Sequence, residues 1–227
     1  MILGICGFAG SGKNTVGQIL CDDFFSFEKY SFTDSLKDSI SSIFSWDRNL
    51  LQGETDESRI FREKKDDYWS DKLGFDVTPR KMMQLLGTEI GRNQIHPNIW
   101  IYSIESKILN NSTKNAVITD VRFPNEIDYI KRNNGFIVRV VRGSDPEWYD
   151  KALDVNSRLD GPFRLTAENI ENLKQSIPSH YSEWAWIGQK MDYVLDNNNG
   201  IEELHANIKI MLKTFLGPDN IYDMFFN

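Results

Sequence analysis

The stretch Gly7-Phe-Ala-Gly10-Ser11-Gly12-Lys13-Asn14-Thr15 constrains this chain more than any other. It follows an apolar run, Ile2–Cys6, and leads into Val16, Ile19 and Leu20, apolar residues at helical spacing. Strand, glycine-rich loop and helix in that order is the context in which a GxxxxGK pattern carries meaning. Glycines let the backbone curl until successive N–H groups face one point, and the helix N-terminus adds its positive end. Gly10, Ser11, Gly12, Asn14 and Thr15 can therefore cradle the phosphates of ATP, with Lys13 reaching the β and γ groups. A glycine turn with an incidental lysine would not need all three parts in register. A dinucleotide loop is excluded because no third glycine follows Gly10-Ser11-Gly12. A GTP switch lacks its NKxD after a later strand and its DxxG after the third.

The rest of the pattern alternates. Apolar segments at Ile2–Cys6, Lys29–Phe32, Ala116–Thr119, Ile137–Val141 and Tyr193–Leu195 read as parallel strands buried on both faces. Between them run helical patterns: Leu36, Ile40, Ile43 and Phe44, and a closing helix with Ile201, Leu204, Ile208, Met211, Leu212 and Phe215. The expected fold is α/β, a five-stranded parallel sheet with helices on both faces, in one domain over 1–227. Ligands of such sheets bind beyond the carboxyl ends of the strands. Two stretches break the alternation. Residues 45–80 are charged and dotted with aromatics, and 143–190 carry aromatics between Trp148 and Trp186 with Pro146, Pro162 and Pro178. Long insertions in a compact domain are often lids or binding loops. Trp69, Trp100 and Tyr68 read better as core than as a base pocket.

Composition adds exclusions. A formal charge of −7 argues against general nucleic-acid binding, although local arginines could still hold a small phosphorylated molecule. Two cysteines, Cys6 and Cys21, have no ligand spacing and suit a reducing cytoplasm. MILGICGF has no basic leader, so it is expected to be a strand; no run of about 18 apolar residues implies a membrane span.

Two further clusters bear on chemistry. Asp120 ends the third strand, where it can hold magnesium or cap the next helix, and Arg122 can point the same way. Arg80, Gln84 and Thr88 fall at i, i+4 and i+8 on an expected helix over 80–92, opposite apolar Met82, Met83, Leu85 and Leu86. That face suits either a nucleoside monophosphate or plain solvent.

With GFAGSGKNT, FTDSLK after strand two, RKMMQLLGTE, VITDVRFPNE and YVLDNNNGIEEL, the chain resembles the bacteriophage deoxynucleoside monophosphate kinases, within the adenylate kinase-like P-loop kinases. The resemblance implies transfer of the γ-phosphoryl group of ATP to a (deoxy)nucleoside monophosphate, with Mg2+. It implies a loop of the GKxT kind, in which Asn14 replaces the usual magnesium-binding hydroxyl and Thr15 contacts phosphate. It places the acceptor phosphate near Lys37, Arg80 and Arg122 and the base near Gln84, with Asp34 and Thr88 also among the substrate-binding residues. Residues 45–92 become the acceptor-binding insertion and 143–190 the lid, with Arg142, Arg158 and Arg164 as candidates to neutralise the moving group. Asn197 lies in a loop similar to one that cups the ATP base, though a turn and helix start would read alike. His180-Tyr-Ser-Glu183 resembles an H-x-S-E element of the lid, where His180 is expected to be structural. A monomer or homodimer is implied, with Tyr222–Phe226 a possible contact surface, no nucleic-acid or membrane partner, and the host cytoplasm as location if phage-encoded. The rivals are a P-loop kinase of another small metabolite, of phosphomevalonate or dephospho-coenzyme A type, and a non-catalytic nucleotide switch.

Overall fold

The computed structural model describes residues 1–24, 27–111, 115–159 and 166–217. In chain order the elements are β1 (Ile2–Cys6), α1 (Lys13–Asp23), β2 (Phe27–Tyr30), α2 (Asp34–Phe44), α3 (Asp56–Glu63), α4 (Asp67–Leu73) and α5 (Pro79–Gln84). A π-helical stretch, Leu85–Ile95, continues α5 and is followed by α6 (Ile99–Leu109), β3 (Asn115–Ile118), α7 (Pro124–Arg132) and β4 (Phe136–Val141). Then come α8 (Tyr149–Leu159), α9 (Ala167–Gln175), a 3-10 turn at Tyr181–Glu183, β5 (Tyr193–Asp196) and α10 (Ile201–Leu216).

The strands form one five-stranded sheet in the order β2-β3-β1-β4-β5. β1 runs parallel to β3 and β4, with Leu3 opposite Val117 and Phe136, and β4 runs parallel to β5, with Val140 opposite Leu195. Period-two alternation along β1 then decides which helix covers which face. Leu3 and Ile5 share a core with Val16 and Leu20 of α1 and with Leu204, Ile208 and Met211 of α10. Gly4 points the other way; a Cβ there would stand 2.5 Å from Ile130 of α7. Helices on both faces of a parallel sheet are what the continuous apolar strands required.

The chain divides into two compact units, Met1–Lys29 with Thr113–Asn227, and Tyr30–Ser112. The first holds the core just described. The second has its own, in which Leu36, Ile40 and Phe44 of α2 meet Trp46, Leu51, Val77, Met82 and Met83.

Several local expectations are corrected. β2 begins and ends two residues before the expected Lys29–Phe32, because the Ser31 hydroxyl accepts from the Thr33 N–H at 3.1 Å and turns the chain into α2. Ile43 and Ile201 are exposed, at the ends of their helices, and Tyr68 is 64% exposed instead of in a core. The single α-helix expected over 80–92 becomes α5 plus the π-helical stretch. Gly87 and Gly91 let neighbours come close: a Cβ at Gly91 would sit 2.9 Å from the Trp100 ring, and the Trp100 indole N–H donates to the Gly87 carbonyl at 2.8 Å. A carbonyl bonded sideways widens the helical ladder there. The described parts of both irregular stretches are built around specific contacts. Residues 45–80 fold as α3 and α4, each with a side-chain N-cap, from Thr55 and Asp66. Residues 143–190 bury Trp184, Trp186, Ile187, Ala152 and Val155, and the Asn156 amide donates to the carbonyls of Trp184 and Ile187 at 3.1 and 2.8 Å.

Candidate active site

The loop between β1 and α1 has the backbone that its glycines permit. Gly7, Gly10 and Gly12 all take positive φ, at 140°, 80° and 94°, conformations that side chains resist. Lys13 starts α1, and its ammonium donates to the carbonyls of Gly7 and Phe8 at 2.8 and 2.7 Å, folding the side chain back over the loop. Ser11 is buried, and its hydroxyl has no hydrogen-bond partner among the described residues. A buried unsatisfied hydroxyl inside a curled glycine loop is a feature that a bound phosphate would relieve. Thr15 is exposed and Asn14 half-buried on the first turn of α1.

Asn197 follows β5 and is buried. Its amide donates to the Ser11 carbonyl at 2.8 Å, and its own N–H donates to the Val141 carbonyl at 2.8 Å. The side chain so fills the space behind Gly12 that a Cβ there would lie 2.2 Å from it. In this arrangement Asn197 is a strut under the phosphate loop. Phe8 supplies another anchor, its ring 5.6 Å from Trp148 and 5.1 Å from Trp186. Arg139 stacks over Tyr149 and Trp186 and pairs with Asp145.

Asp120 and Arg122 stand just past β3, in the turn before α7. Glu126, buried in the first turn of α7, accepts from the N–H groups of Arg122 and Phe123 at 2.6 and 3.0 Å, so the backbone at Arg122 is fixed. The Arg122 guanidinium donates to the Glu183 carboxylate at 2.5 Å and to the Ser182 carbonyl at 3.3 Å. Burial lowers the Arg122 pKa, but Glu183 and then Asp120 and Glu126 outweigh it and hold the group above its ordinary value. Lys13 goes the other way. Burial first, and then the charge of Arg122, push its ammonium down from 10.5 to about 8, against Glu183, Cys6 and Asp120. Lys13, Asp120, Arg122 and Glu183 thus form one charge cluster at the phosphate loop. His180 takes the structural role expected of it: its Nδ1 bonds the Ser182 hydroxyl at 2.8 Å and caps the 3-10 turn.

The other expected residues have surroundings of their own. Arg142 is exposed just after β4. Arg158 forms a surface pair with Asp154 at 2.8 Å. Arg164 and Tyr222–Phe226 lie outside the described residues. In the second unit, Asp34 pairs with Arg48 at 3.0 Å, buried Lys37 donates to Gln52 at 2.8 Å, and Arg80 pairs with Glu63. Gln84 closes α5, half-buried, and Thr88 sits in the π-helical stretch, where the i+4 face drifts. Sequence reasoning missed Glu183 as a partner of Arg122, Glu126 as the clamp on its backbone, and the Phe8 socket.

A family model described as deoxynucleotide monophosphate kinase matches residues 59–153. A protein of Acanthamoeba polyphaga mimivirus, named as a deoxynucleotide monophosphate kinase, is 32% identical over 153 residues, 63% of this chain and 74% of the relative. The chain belongs to the deoxynucleotide monophosphate kinase family. The deoxynucleoside-5′-monophosphate kinase of Escherichia phage T5 is 29% identical over 184 residues, 59% of this chain and 73% of that protein. Among solved structures, a dephospho-CoA kinase from Campylobacter jejuni aligns over 95% of this chain and 98% of its own, with 18% identity and a TM-score of 0.44, too distant to add to the argument. Family membership gives the loop cluster a context, since a kinase needs cations where phosphate charge moves. Among the described residues no helix is long and apolar enough to cross a membrane.

Proposed function

We propose that this family member transfers the γ-phosphoryl group of ATP to a deoxynucleoside 5′-monophosphate. The observation that carries the reading is the pairing of Lys13 and Arg122 at a glycine loop, in a chain related to named deoxynucleotide kinases. Gly10, Ser11, Gly12, Asn14 and Thr15 hold the ATP phosphates through backbone N–H groups, the Ser11 hydroxyl and the start of α1. Lys13 leaves its carbonyls to follow the β and γ oxygens. The acceptor phosphate is already largely ionised at neutral pH, so no strong general base is needed. Positioning and charge neutralisation carry the rate.

Magnesium is the expected ion. It keeps several waters and takes one or two carboxylates besides substrate phosphates, and Asp120, close enough to Lys13 to act on its charge, fits that need. Held there by Asp120, it would supply charge neutralisation to the phosphates. In the second unit, Lys37 and Arg80 supply cations for the acceptor phosphate, Gln84 reads its base, and Asp34 and Thr88 also contact the acceptor. Residues 143–190 act as the lid that excludes water, with Arg142, Arg158 and Arg164 as its cations and Asn197 beside the ATP base as well as under the loop. The protein works as a monomer or homodimer in the cytoplasm, that of the host if it is phage-encoded, with no nucleic-acid or membrane partner.

Product chromatography tests the reaction. ATP with a deoxynucleoside monophosphate should give ADP and the deoxynucleoside diphosphate in equal amounts. ADP without the diphosphate would mean hydrolysis and would overturn the proposal.

A further inference from the structure

We propose that Glu183 is a positioning residue for the transfer: with the Ser182 carbonyl it aims the Arg122 guanidinium at the phosphate held by Lys13. The inference rests on the kinase reading above and names a residue that the reading did not contain.

The charge of Arg122 disfavours that of Lys13, yet in the kinase reading both face one phosphate group. Without a restraint, a partly exposed arginine would relieve that repulsion by swinging into water. The restraint is Glu183, whose carboxylate accepts from Arg122 Nη1 at 2.5 Å. The Ser182 carbonyl accepts from the same nitrogen at 3.3 Å, leaving the rest of the guanidinium fork free to meet a phosphate.

The turn that carries this carboxylate is itself held firmly. Trp184 follows it, fully buried, and its indole N–H donates to the Ser179 carbonyl at 3.1 Å. The Trp186 indole donates to the carbonyl of Glu183 at 3.1 Å. His180 bonds Ser182 and fixes the turn from the other side. A purely structural role, stapling the turn to the Asp120–Phe123 segment, is already filled. Glu126 holds that segment through two backbone N–H groups, and Tyr181 packs between Phe123 and Trp184. What Glu183 adds is the direction of one side chain.

A double-mutant cycle on the full chain tests this, using Glu183→Ala, Glu183→Gln, Arg122→Ala and the Arg122→Ala/Glu183→Ala pair. Misplacing the arginine by about an ångström should cost Glu183→Ala about 100-fold in kcat. KM for ATP and the melting temperature should stay near the parent's. Glu183→Gln, whose amide oxygen still accepts, should fall between, and it keeps the test open if the alanine variant does not fold. The pair should be no slower than Arg122→Ala alone, since one residue acts through the other. Additive losses, or an unchanged kcat in Glu183→Gln and Glu183→Ala, overturn this proposal while leaving the kinase reading intact. A parent protein that transfers to no deoxynucleoside monophosphate overturns the kinase reading, and this proposal with it.

Discussion

Lys13 shows how one residue can be both required and costly. Its folded pKa, about 8, lies below its ordinary 10.5, because burial and Arg122 disfavour the charge. The unfolded chain therefore holds the proton more tightly between those values, and stability rises with pH across that window. Removing the charge, as in Lys13→Met, should raise the ligand-free melting temperature at pH 7, by roughly 2–4 °C for each kcal/mol relieved. The same change should cut transfer by about 100- to 1,000-fold, the scale of losing one electrostatic stabiliser. A melt with no gain and a normal rate would remove Lys13 from the site. Bound phosphate returns the lysine towards its ordinary pKa, so nucleotide affinity should fall as pH rises above about 8. Titration calorimetry in buffers of different ionisation enthalpy should show proton uptake on binding near that pH. Asn197 gives a separate prediction. Asn197→Asp sets a carboxylate against the Ser11 carbonyl, should cost about 1–3 kcal/mol of stability, and should raise the KM for ATP. The loop was legible because its glycines, lysine and flanking apolar runs lie together in sequence. Glu183 was not legible as a partner, because sixty-one positions separate it from Arg122 and only folding pairs them.

At the scale of elements, the strands and long helices were readable and the short or unusual ones were not. β1 falls where its apolar run ends, and β3, β4 and β5 shift by a residue at one end or at both. Helices α3 and α4, of eight and seven residues, are too short for a period to show, and their caps define them instead. The π-helical stretch escaped because its cause is tertiary: Trp100 and Leu36 press on Gly87 and Gly91. Gly91→Ala would bring a methyl within 2.8 Å of the Leu86 carbonyl as well as against the Trp100 ring. The expected result is a loss of about 1–3 kcal/mol in a denaturant titration, from overpacking. No loss there would mean that the stretch adapts, and that glycine is not what shapes it.

Taken whole, the chain puts the charge cluster at the glycine loop and the expected acceptor residues in different compact units. Lys13, Asp120 and Arg122 belong to the first, and Asp34, Lys37, Arg80, Gln84 and Thr88 to the second. Arg80 already has an ion-pair partner in Glu63, so an arriving phosphate would compete with that carboxylate instead of meeting a bare cation. The family assignment rests on long similarity to viral relatives, and the charge cluster at the loop gives it a mechanism. The measurement that tests the central claim most directly is a coupled ADP-release assay with ATP, magnesium and a panel of ribo- and deoxynucleoside monophosphates, run on the parent and on Lys13→Ala. The account predicts release that needs an acceptor, is fastest with one or more deoxynucleotides, and vanishes in the variant. ADP release that ignores every monophosphate, or that survives loss of Lys13, would contradict it.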